Sequence, residues 1–412
     1  MKAEIISIGD ELLIGQVINT NASWIAEQLN LSGISVYQIV TISDERVHIL
    51  KTLKEAGDRS DIILITGGLG PTKDDITKET LCEYFETKLS FNEEVFKNIQ
   101  LLFEKRGYKI SELNRKQAEV PEGCIPLPNI HGTAPGMWFE KKNTIYVSMP
   151  GVPFEMKALL SDFVIPGLLS RFKTGAIVHK TILTHGLPES LLAKKIEHWE
   201  DNLPKHLKLA YLPKPGAVRL RLTGKGNDKS ALENEIEEEI RKLQLIIPTE
   251  IFGFDNDSLS QKVGQLLREK GMTISTAESC TGGFIAHLIT SVAGSSDYFK
   301  GSIIAYANEI KEQSLGVKTQ TLIDHGAVSE ETVLEMVTGI KSRFKTDCAI
   351  ATSGIAGPGG GTDEKPVGTT WIAISTPFKT FAKVYEFGDN RERNITKAAM
   401  TALNLIRKEL SS

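Results

Sequence analysis

The N-terminal part of the chain alternates short apolar runs with longer amphipathic runs. Apolar runs at residues 5–8, 34–42 and 62–66 predict strands, and amphipathic runs at 22–31 and 47–56 predict helices. Strands that alternate with helices in this way are typical of a parallel sheet with helices on its faces. Such sheets bind ligands beyond the carboxyl ends of their strands, where this segment carries acidic and glycine-rich residues.

A second region of the same type lies towards the C-terminus. It is predicted to contain helices at 259–270 and 395–410, with strands at 272–276, 302–306, 348–353 and 369–375. The intervening segment predicts a small α+β module from a strand at 177–184, a helix at 189–199, a hairpin at 208–222 and a charged helix at 228–243. We therefore predict an α/β protein with domains at 1–170, 171–252 and 253–412, the first built on a parallel or mixed sheet.

Composition excludes several classes of protein. With 412 residues, 41% hydrophobic and 24% charged, the chain is expected to form two to four ordinary globular domains. A formal charge of −4 without a long basic block disfavours direct nucleic-acid binding. The four cysteines form no C-x-x-C pair, and no apolar run approaches the length of a membrane span. We expect free thiols and a cytoplasmic protein without a membrane segment.

Residues suited to amide hydrolysis surround a glycine-rich turn in the third predicted domain. The run at 276–283 contains Ser279, the next glycine turn contains Ser296, and Tyr306 and Lys311 follow. A serine hydroxyl needs a base to become nucleophilic, and a desolvated lysine can be that base. Each residue also has an ordinary structural interpretation: Ser279 as a helix cap, Ser296 as a turn residue and Lys311 as a surface lysine. Cys280 is interpreted as a packing thiol.

A second set of candidate residues lies on loops of the first predicted domain. Carboxylates are hard ligands for a divalent metal, and a glycine turn lets backbone N–H groups approach a phosphate. Each acidic residue could instead cap a helix. For Asp44 the two interpretations are about equally supported, whereas for Asp74 and Asp75, which join the glycine turn, a functional role is favoured. The acidic candidates are Asp10, Glu11, Asp44, Asp74 and Asp75, and the turn contributes Gly67, Gly68, Gly70 and Thr72.

The motifs AESCTGG, GSS, Y-x-N-E-x-K, HGAVSE and SGIAGPGGGTDEKPVGTTW resemble the C-terminal domain of the CinA family, which deamidates nicotinamide mononucleotide. The resemblance implies that Ser296 is the nucleophile, Lys311 the base and Tyr306 a proton relay, while Ser279 helps to hold the substrate or the oxyanion. It also implies a loop that binds the nucleotide phosphate and a phosphate-contacting arginine, either Arg391 or Arg393. The implied substrate-binding residues are Thr281, Gly282, Gly283, Ser353, Gly354, Gly357, Gly359, Gly360, Arg391 and Arg393.

The N-terminal motifs GDELLIG, NTN and TGGLGPTKDD resemble the CinA pyrophosphatase domain, which is related to molybdopterin-binding folds. The resemblance implies hydrolysis of ADP-ribose with a divalent ion (Mg, Mn, Co or Ni), a role in pyridine-nucleotide salvage and a homodimer. It adds Asn114, Gln117 and Glu155 as ligand contacts. His131 and His185 are interpreted as loop histidines. Two alternatives stay open: a molybdopterin-binding module, and an accessory protein of competence or DNA damage.

Overall fold

The computed structural model describes residues 1–72 and 75–411, except the side chain of Arg106. These residues form two compact units, Met1–Val178 with Gly224–Glu233, and His179–Thr223 with the chain from Asn234 onward. The chain has the predicted mixed α/β fold. Within the described part of the chain, no helix has the length and apolar character required to cross a membrane. The domain boundaries at residues 170 and 252 stay predictions.

The first unit is built on a six-stranded sheet. Its strands are β1 (Lys2–Ile8), β2 (Ser35–Ile42), β3 (Ile62–Thr66), β4 (Leu89–Phe91), β5 (Glu119–Pro121), β6 (Ile125–Leu127), β7 (Gly136–Lys141) and β8 (Thr144–Met149). Its helices are α1 (Asp10–Leu13), α2 (Thr20–Leu31), α3 (Arg46–Gly57), α4 (Thr77–Tyr84), α5 (Glu93–Arg106), α6 (Glu112–Lys116), α7 (Pro153–Leu159) and α8 (Ile165–Arg171), the last two joined by a π-helical segment, Leu160–Val164. The strand order of the large sheet is β2-β1-β3-β8-β7-β6, and β4 pairs with β5.

The centre of this sheet is covered on both faces. Every residue of β3 is buried, which is typical of a parallel strand between two helical layers. Ile62 and Leu64 belong to one core cluster, whereas Ile63 and Ile65 belong to another. The strands β2, β1, β3 and β8 run parallel, so their carboxyl ends lie at one edge of the sheet.

The other elements are those of the middle segment and the C-terminal region. The middle segment contains β9 (Ala176–His185), α9 (Glu189–Asp201), β10 (Leu207–Lys214), β11 (Ala217–Gly226), α10 (Lys229–Ile246) and β12 (Ile251–Phe254), with strand order β10-β11-β9-β12. The C-terminal strands are β13 (Ile274–Glu278), β14 (Phe299–Ile304), β15 (Cys348–Gly354), β16 (Thr369–Ser375) and β17 (Thr380–Glu386). The C-terminal helices are α11 (Leu259–Glu269), α12 (Phe284–Thr290), α13 (Asn308–Leu315), α14 (Thr319–His325), α15 (Glu330–Phe344) and α16 (Arg391–Ser411).

The C-terminal sheet has the order β14-β13-β15-β16-β17. Strand β13 pairs in parallel with both β14 and β15, so the carboxyl ends of these three strands meet at one edge. Strands β16 and β17 continue the sheet in antiparallel fashion.

Two predictions about local structure are wrong. Strand β14 begins at Phe299 rather than residue 302 and ends before Tyr306. His185 is not a loop residue: it is the last residue of β9, and only 3% of it is exposed. The strand predicted at 177–184 extends one residue further and includes His185.

Candidate functional site

A cavity of about 220 Å³ lies where β13, β14 and β15 end. Ser279 follows β13, Tyr306 follows β14, and Ser353 lies near the end of β15. This is the edge at which parallel sheets place their ligands. The cavity is lined by Ser279, Cys280, Tyr306, Asn308, Lys311, Ala327, Val328, Ser353, Gly354, Ala356 and Arg391.

Lys311 is a buried lysine without an ion-pair partner. Only 1% of the residue is exposed, and among the described residues no carboxylate oxygen lies within 4.0 Å of its Nζ. Its Nζ donates to the backbone oxygens of Ala305 (2.9 Å) and Tyr306 (3.2 Å). Burial lowers the pKa of Lys311 from its usual 10.5. Because a neutral amine has two N–H groups and one lone pair, these two carbonyls leave the lone pair able to accept a proton.

The loop that carries Ser279 is held by the buried carboxylate of Glu278. One of its oxygens, Oε2, accepts hydrogen bonds from the backbone N–H groups of Gly283 and Ile285, both at 3.0 Å, and from Thr281 Oγ1 at 2.7 Å. The other, Oε1, accepts from the N–H of Ala286 at 2.8 Å. Glu278 therefore caps the start of α12 and fixes the glycine turn in front of it. Sequence reasoning missed this residue, although a glutamate before the turn was a visible signal.

This arrangement corrects the prediction that the turn presents N–H groups to an anion. The N–H of Gly283 and the hydroxyl of Thr281 are bound to Glu278, and the N–H of Gly282 donates to the backbone oxygen of Ser279 at 3.1 Å. None of these three residues lines the cavity. The protein's own carboxylate occupies the position predicted for a substrate anion.

The structure also contradicts the implied role of Ser296 as nucleophile. Ser296 lies in a 3₁₀ turn, Ser295–Asp297, immediately before β14, whereas Tyr306 and Lys311 follow that strand. A strand rises about 3.3 Å per residue, so the six residues of β14 separate its ends by roughly 17 Å. Ser296 does not line the cavity; Ser279 is the predicted serine that shares it with Lys311.

Arg391, at the start of α16, connects two parts of the site. Its guanidinium donates to Tyr306 Oη at 3.0 Å and to the backbone oxygen of Gly357 at 2.9 Å. Arg391 lines the cavity, whereas Arg393 does not. Of the two arginines that the sequence left open, the structure therefore places Arg391 at the site. Gly357, Gly359 and Gly360 also lie outside the cavity lining, while Gly354 belongs to it.

Three further lining residues had no predicted role. Asn308 begins α13, and Ala327 and Val328 precede α15. The Oγ of Ser353 donates to the backbone oxygen of Ala327 at 2.6 Å, which ties that loop to β15. All three belong to motifs visible in the sequence, Y-x-N and HGAV. Their spacing carried no chemical signal, because a backbone contact depends on the fold rather than on residue type.

Cys280, next to Ser279, is a buried thiol rather than a reactive one. Burial raises its pKa to about 12, so the thiolate needed for nucleophilic attack is scarce at neutral pH. This agrees with its interpretation as a packing residue.

A larger cavity, of about 460 Å³, lies at the carboxyl edge of the sheet in the first unit. The predicted residues that line it are Glu11, Asp44, Gly67, Gly68, Gly70, Asp75, Gln117 and Glu155. Asn19 and Asn21, from the NTN motif, also line it. Asp74 lies outside the described residues.

The acidic residues of this cavity repel one another. The pKa of Asp44 is raised, first by burial and then by the charges of Asp10, Glu11 and Asp75, although the N–H of Asp10 donates to Asp44 Oδ2 at 3.0 Å. A cation would relieve that repulsion, and carboxylate oxygens suit a divalent ion. Within residues 1–72 and 75–411, no three His, Cys, Asp or Glu side chains are already arranged as a metal site.

Gln117 is an unusual buried amide. Only 4% of it is exposed, it lines the cavity, and neither Oε1 nor Nε2 has a hydrogen-bond partner among the described residues. Leaving a buried polar group unpaired costs about 1–3 kcal/mol, so this side chain is suited to a ligand's polar groups.

Three other residues that were predicted to contact a ligand or metal form hydrogen bonds within the protein. Asn114 forms a capping box with Ser111 at the start of α6 and does not line the large cavity, so its implied role as a ligand contact stays a prediction. Thr72 donates to Asp75 through its backbone N–H, at 3.0 Å, and through its hydroxyl. Asp10 lies outside the cavity lining and contributes its backbone N–H to Asp44.

Comparison with known proteins identifies the parts of the chain. Residues 256–410 match the CinA C-terminal domain, residues 179–253 match the damage-inducible protein CinA KH domain, and residues 4–170 match the "Probable molybdopterin binding domain" family. KH domains grip nucleic-acid backbones with a G-x-x-G loop. Residues 179–253 contain no G-x-x-G sequence.

Full-length relatives match this chain over nearly its whole length. A CinA-like protein of Flavobacterium psychrophilum is 52% identical over 412 residues, covering 100% of this chain and 99% of the relative. A CinA-like protein of Cytophaga hutchinsonii is 48% identical, covering 99% and 98%. The crystal structure of competence/damage inducible protein CihA from Agrobacterium tumefaciens is 38% identical, with a TM-score of 0.37, and covers 37% of this chain and 94% of that one. On the full-length identity, the chain belongs to the CinA family.

Proposed function

We propose that the C-terminal region deamidates nicotinamide mononucleotide to nicotinic acid mononucleotide and ammonia, with Ser279 as nucleophile and Lys311 as base. The observation that supports this proposal is the buried Lys311, whose pKa is lowered, in the same cavity as Ser279. Desolvation of a lysine favours its neutral form, which can accept a proton as the reaction requires.

The reaction would proceed in two halves. Lys311 Nζ takes the hydroxyl proton while Ser279 Oγ forms a bond to the carboxamide carbon. The resulting ammonium returns the proton to the carboxamide nitrogen, the C–N bond breaks, and ammonia leaves an ester on Ser279. Water then attacks that ester and gives a proton to Lys311, the bond between the acyl carbon and Ser279 Oγ breaks, and Lys311 returns the proton to Ser279 Oγ as the acid is released. The backbone N–H of Cys280, the residue after the nucleophile, is suited to the oxyanion.

Arg391 is the proposed phosphate contact. Its guanidinium lies beside the Tyr306 phenol at the cavity and carries the positive charge that a nucleotide monophosphate needs. Tyr306 is 60% exposed, so its ring is available to a substrate. We therefore assign Tyr306 to substrate positioning.

Three variants test the amidase and separate the two serines. Ser279→Ala and Lys311→Met are each expected to lower ammonia release from nicotinamide mononucleotide by at least about 10³-fold, as loss of a nucleophile or its base does. Ser296→Ala is the matched control and should retain wild-type turnover. Circular dichroism melting checks that each variant is folded.

Three results would contradict the proposal. Full turnover by folded Ser279→Ala would show that Ser279 is not the nucleophile. Loss of turnover only in Ser296→Ala would support Ser296 as the nucleophile, the role implied by family resemblance. Absence of ammonia release from the wild-type protein would overturn the choice of substrate.

We infer a second activity for the first unit, hydrolysis of ADP-ribose with a divalent ion. The mutually repelling carboxylates of Asp44, Glu11 and Asp75 are the residues suited to hold the ion, and Gln117 is suited to hydrogen-bond the nucleotide. A bound divalent ion supplies charge neutralisation at the phosphates and acidifies water. The protein's own contribution is to hold the pyrophosphate against the glycine turn at residues 67–70.

Asp44→Asn tests this second activity. The variant should lose AMP formation from ADP-ribose at every concentration of Mg, Mn, Co or Ni tried. Asp58→Asn, which removes an exposed carboxylate after α3, is the control and should keep the wild-type rate. Pterin binding without ADP-ribose turnover in the wild-type protein would instead favour the molybdopterin-binding alternative.

A further inference from the structure

A further cavity, of about 510 Å³, is lined only by residues of the second compact unit. The loop after β9, the turn between β10 and β11, strand β17 and one side of α16 form its walls. Its volume is in the usual range for small-molecule sites. None of the residues assigned above to catalysis or substrate binding lines it.

The walls of this cavity are positively charged. Four lysines line it against a single carboxylate, that of Glu189; the lysines are Lys214, Lys383, Lys397 and Lys408. Such an excess of cations in a concave site raises the local concentration of small anions.

One wall is aromatic. Tyr385 and Phe387 both line the cavity, and their rings stack with centroids 5.5 Å apart and planes within 4°. Lys397 Nζ donates to the backbone oxygen of Phe387 at 2.9 Å, so a charged group is fixed beside the ring pair. An aromatic face next to a cation is suited to a ligand that combines a planar ring with an anionic group.

The third feature is a buried polar side chain without a partner. His185 lines the cavity and is 3% exposed, and neither Nδ1 nor Nε2 has a hydrogen-bond partner among the described residues. A Cβ at Gly216 would lie 3.6 Å from His185 Nε2, so the absence of a side chain there leaves this edge of the ring uncovered. Buried imidazole nitrogens are ordinarily hydrogen-bonded, and a bound ligand would supply the missing bond.

We propose that this cavity binds a mononucleotide-like ligand, an aromatic ring that carries a phosphate. The lysines contact the phosphate, the Tyr385–Phe387 pair contacts the ring, and His185 hydrogen-bonds a hydroxyl or ring nitrogen. Helix α16 reaches two of the cavities. Arg391 lines the cavity that contains Lys311, and Lys397 lines the present cavity about 9 Å further along the helix. The binding proposal does not depend on the proposed hydrolase activities.

Calorimetry with AMP, on the full chain carrying Ser279→Ala and Asp44→Asn, tests the proposal without turnover at the other sites. Lys383→Glu, and separately Ala217→Trp to fill the cavity, should each weaken one AMP-binding event at least tenfold. Lys270→Glu is the control for charge, since this exposed lysine lies outside the cavity, and it should leave that event unchanged. Ribose 5-phosphate and adenosine, each lacking one half of the ligand, should bind at least tenfold more weakly than AMP.

Three outcomes would overturn the proposal. These are no AMP binding at millimolar concentration, AMP binding that folded Lys383→Glu and Ala217→Trp leave unchanged, and equal affinity for AMP and ribose 5-phosphate. An amidase assay on Ala217→Trp in the otherwise wild-type chain separates AMP binding in this cavity from the proposed amidase activity. AMP binding and ammonia release are measured independently, so one can be lost while the other is retained.

Discussion

At the scale of single residues, Ser279 and Ser296 show that a sequence can identify candidate nucleophiles but cannot choose between them. Both lie in glycine-rich turns, and residue type alone does not distinguish Ser279 from Ser296. The distinction comes from the strand between Ser296 and Lys311, whose start at Phe299 puts Ser296 at the other edge of the sheet. The presence of Lys311 in a candidate motif was visible in the sequence, but its burial was not, because burial depends on the packing of α13 against α15.

Glu278→Gln is expected to disable the proposed amidase site, although Glu278 does not line the cavity. Glutamine keeps one carbonyl oxygen but replaces the other acceptor with N–H₂, so some of the N–H groups of Gly283, Ile285 and Ala286 lose their partner. Each buried donor left unpaired costs about 1–3 kcal/mol. Urea unfolding should show a loss of that order, and ammonia release should fall with it. Unchanged stability and turnover would show that the carboxylate does not hold the turn.

The pH dependence of amidase activity should report Lys311. Because burial lowers the pKa of Lys311 below 10.5, the neutral base forms at a lower pH than in a free lysine. The value of kcat/KM for ammonia release should therefore rise with pH and level off above the lowered pKa, with its midpoint below 10.5. A profile without a rising limb, or with a midpoint at or above 10.5, contradicts this role.

At the scale of elements, periodicity predicted the alternating strands and helices around the first sheet. Helix α2 and strand β3 were predicted within about two residues of their observed ends. Strand β17 was missed because its residues are mostly exposed or half-buried, so it lacks the apolar run that identified β15. The turn at residues 67–70 was correctly placed after β3, since glycines that follow a buried strand mark a close backbone approach.

Gly67→Ala tests that close approach. Gly67 has φ +110°, and an added Cβ would lie 2.1 Å from the backbone oxygen of Ile8. A residue with a side chain there must distort the turn, so we expect a loss of about 2–3 kcal/mol in unfolding free energy and weaker ADP-ribose binding. Gly107→Ala is the control: its φ is +71° but nothing lies within 4 Å, so it should cost about 1 kcal/mol. Equal losses in the two variants would show that the contact with Ile8 is unimportant.

At the scale of the whole molecule, the α/β class and the presence of candidate sites at two sheet edges followed from the sequence. The cavity around His185 did not, because it is assembled from four segments that lie far apart in the chain. Local pattern also placed His185 in a loop. Only the assembled second unit buries it at the end of β9.

Acid stability should depend on His185. Burial, followed by the charges of Lys408 and Arg407, lowers its pKa to about 4 from 6.5. Its contribution to stability is therefore complete above pH 6.5 and is lost as the pH falls towards 4, by at most about 3 kcal/mol. Urea unfolding across this range should show a shallower loss for His185→Gln than for the wild type. His198→Gln, which changes an exposed histidine of α9, should keep the wild-type slope; equal slopes in all three proteins would contradict the assignment.

The buried thiol beside Ser279 has a practical consequence for handling the enzyme. Burial also raises the pKa of Cys124 to about 12 and of Cys348 to about 11, and Cys82 is shifted in the same direction. Iodoacetamide attacks thiolates, which these sites hardly populate near neutrality. Alkylation of the native protein should leave its turnover intact, whereas labelling in urea should reach all four cysteines. A serine-directed reagent and a cysteine-directed one would then distinguish the proposed amidase activity from that of cysteine-dependent amidases in a crude extract.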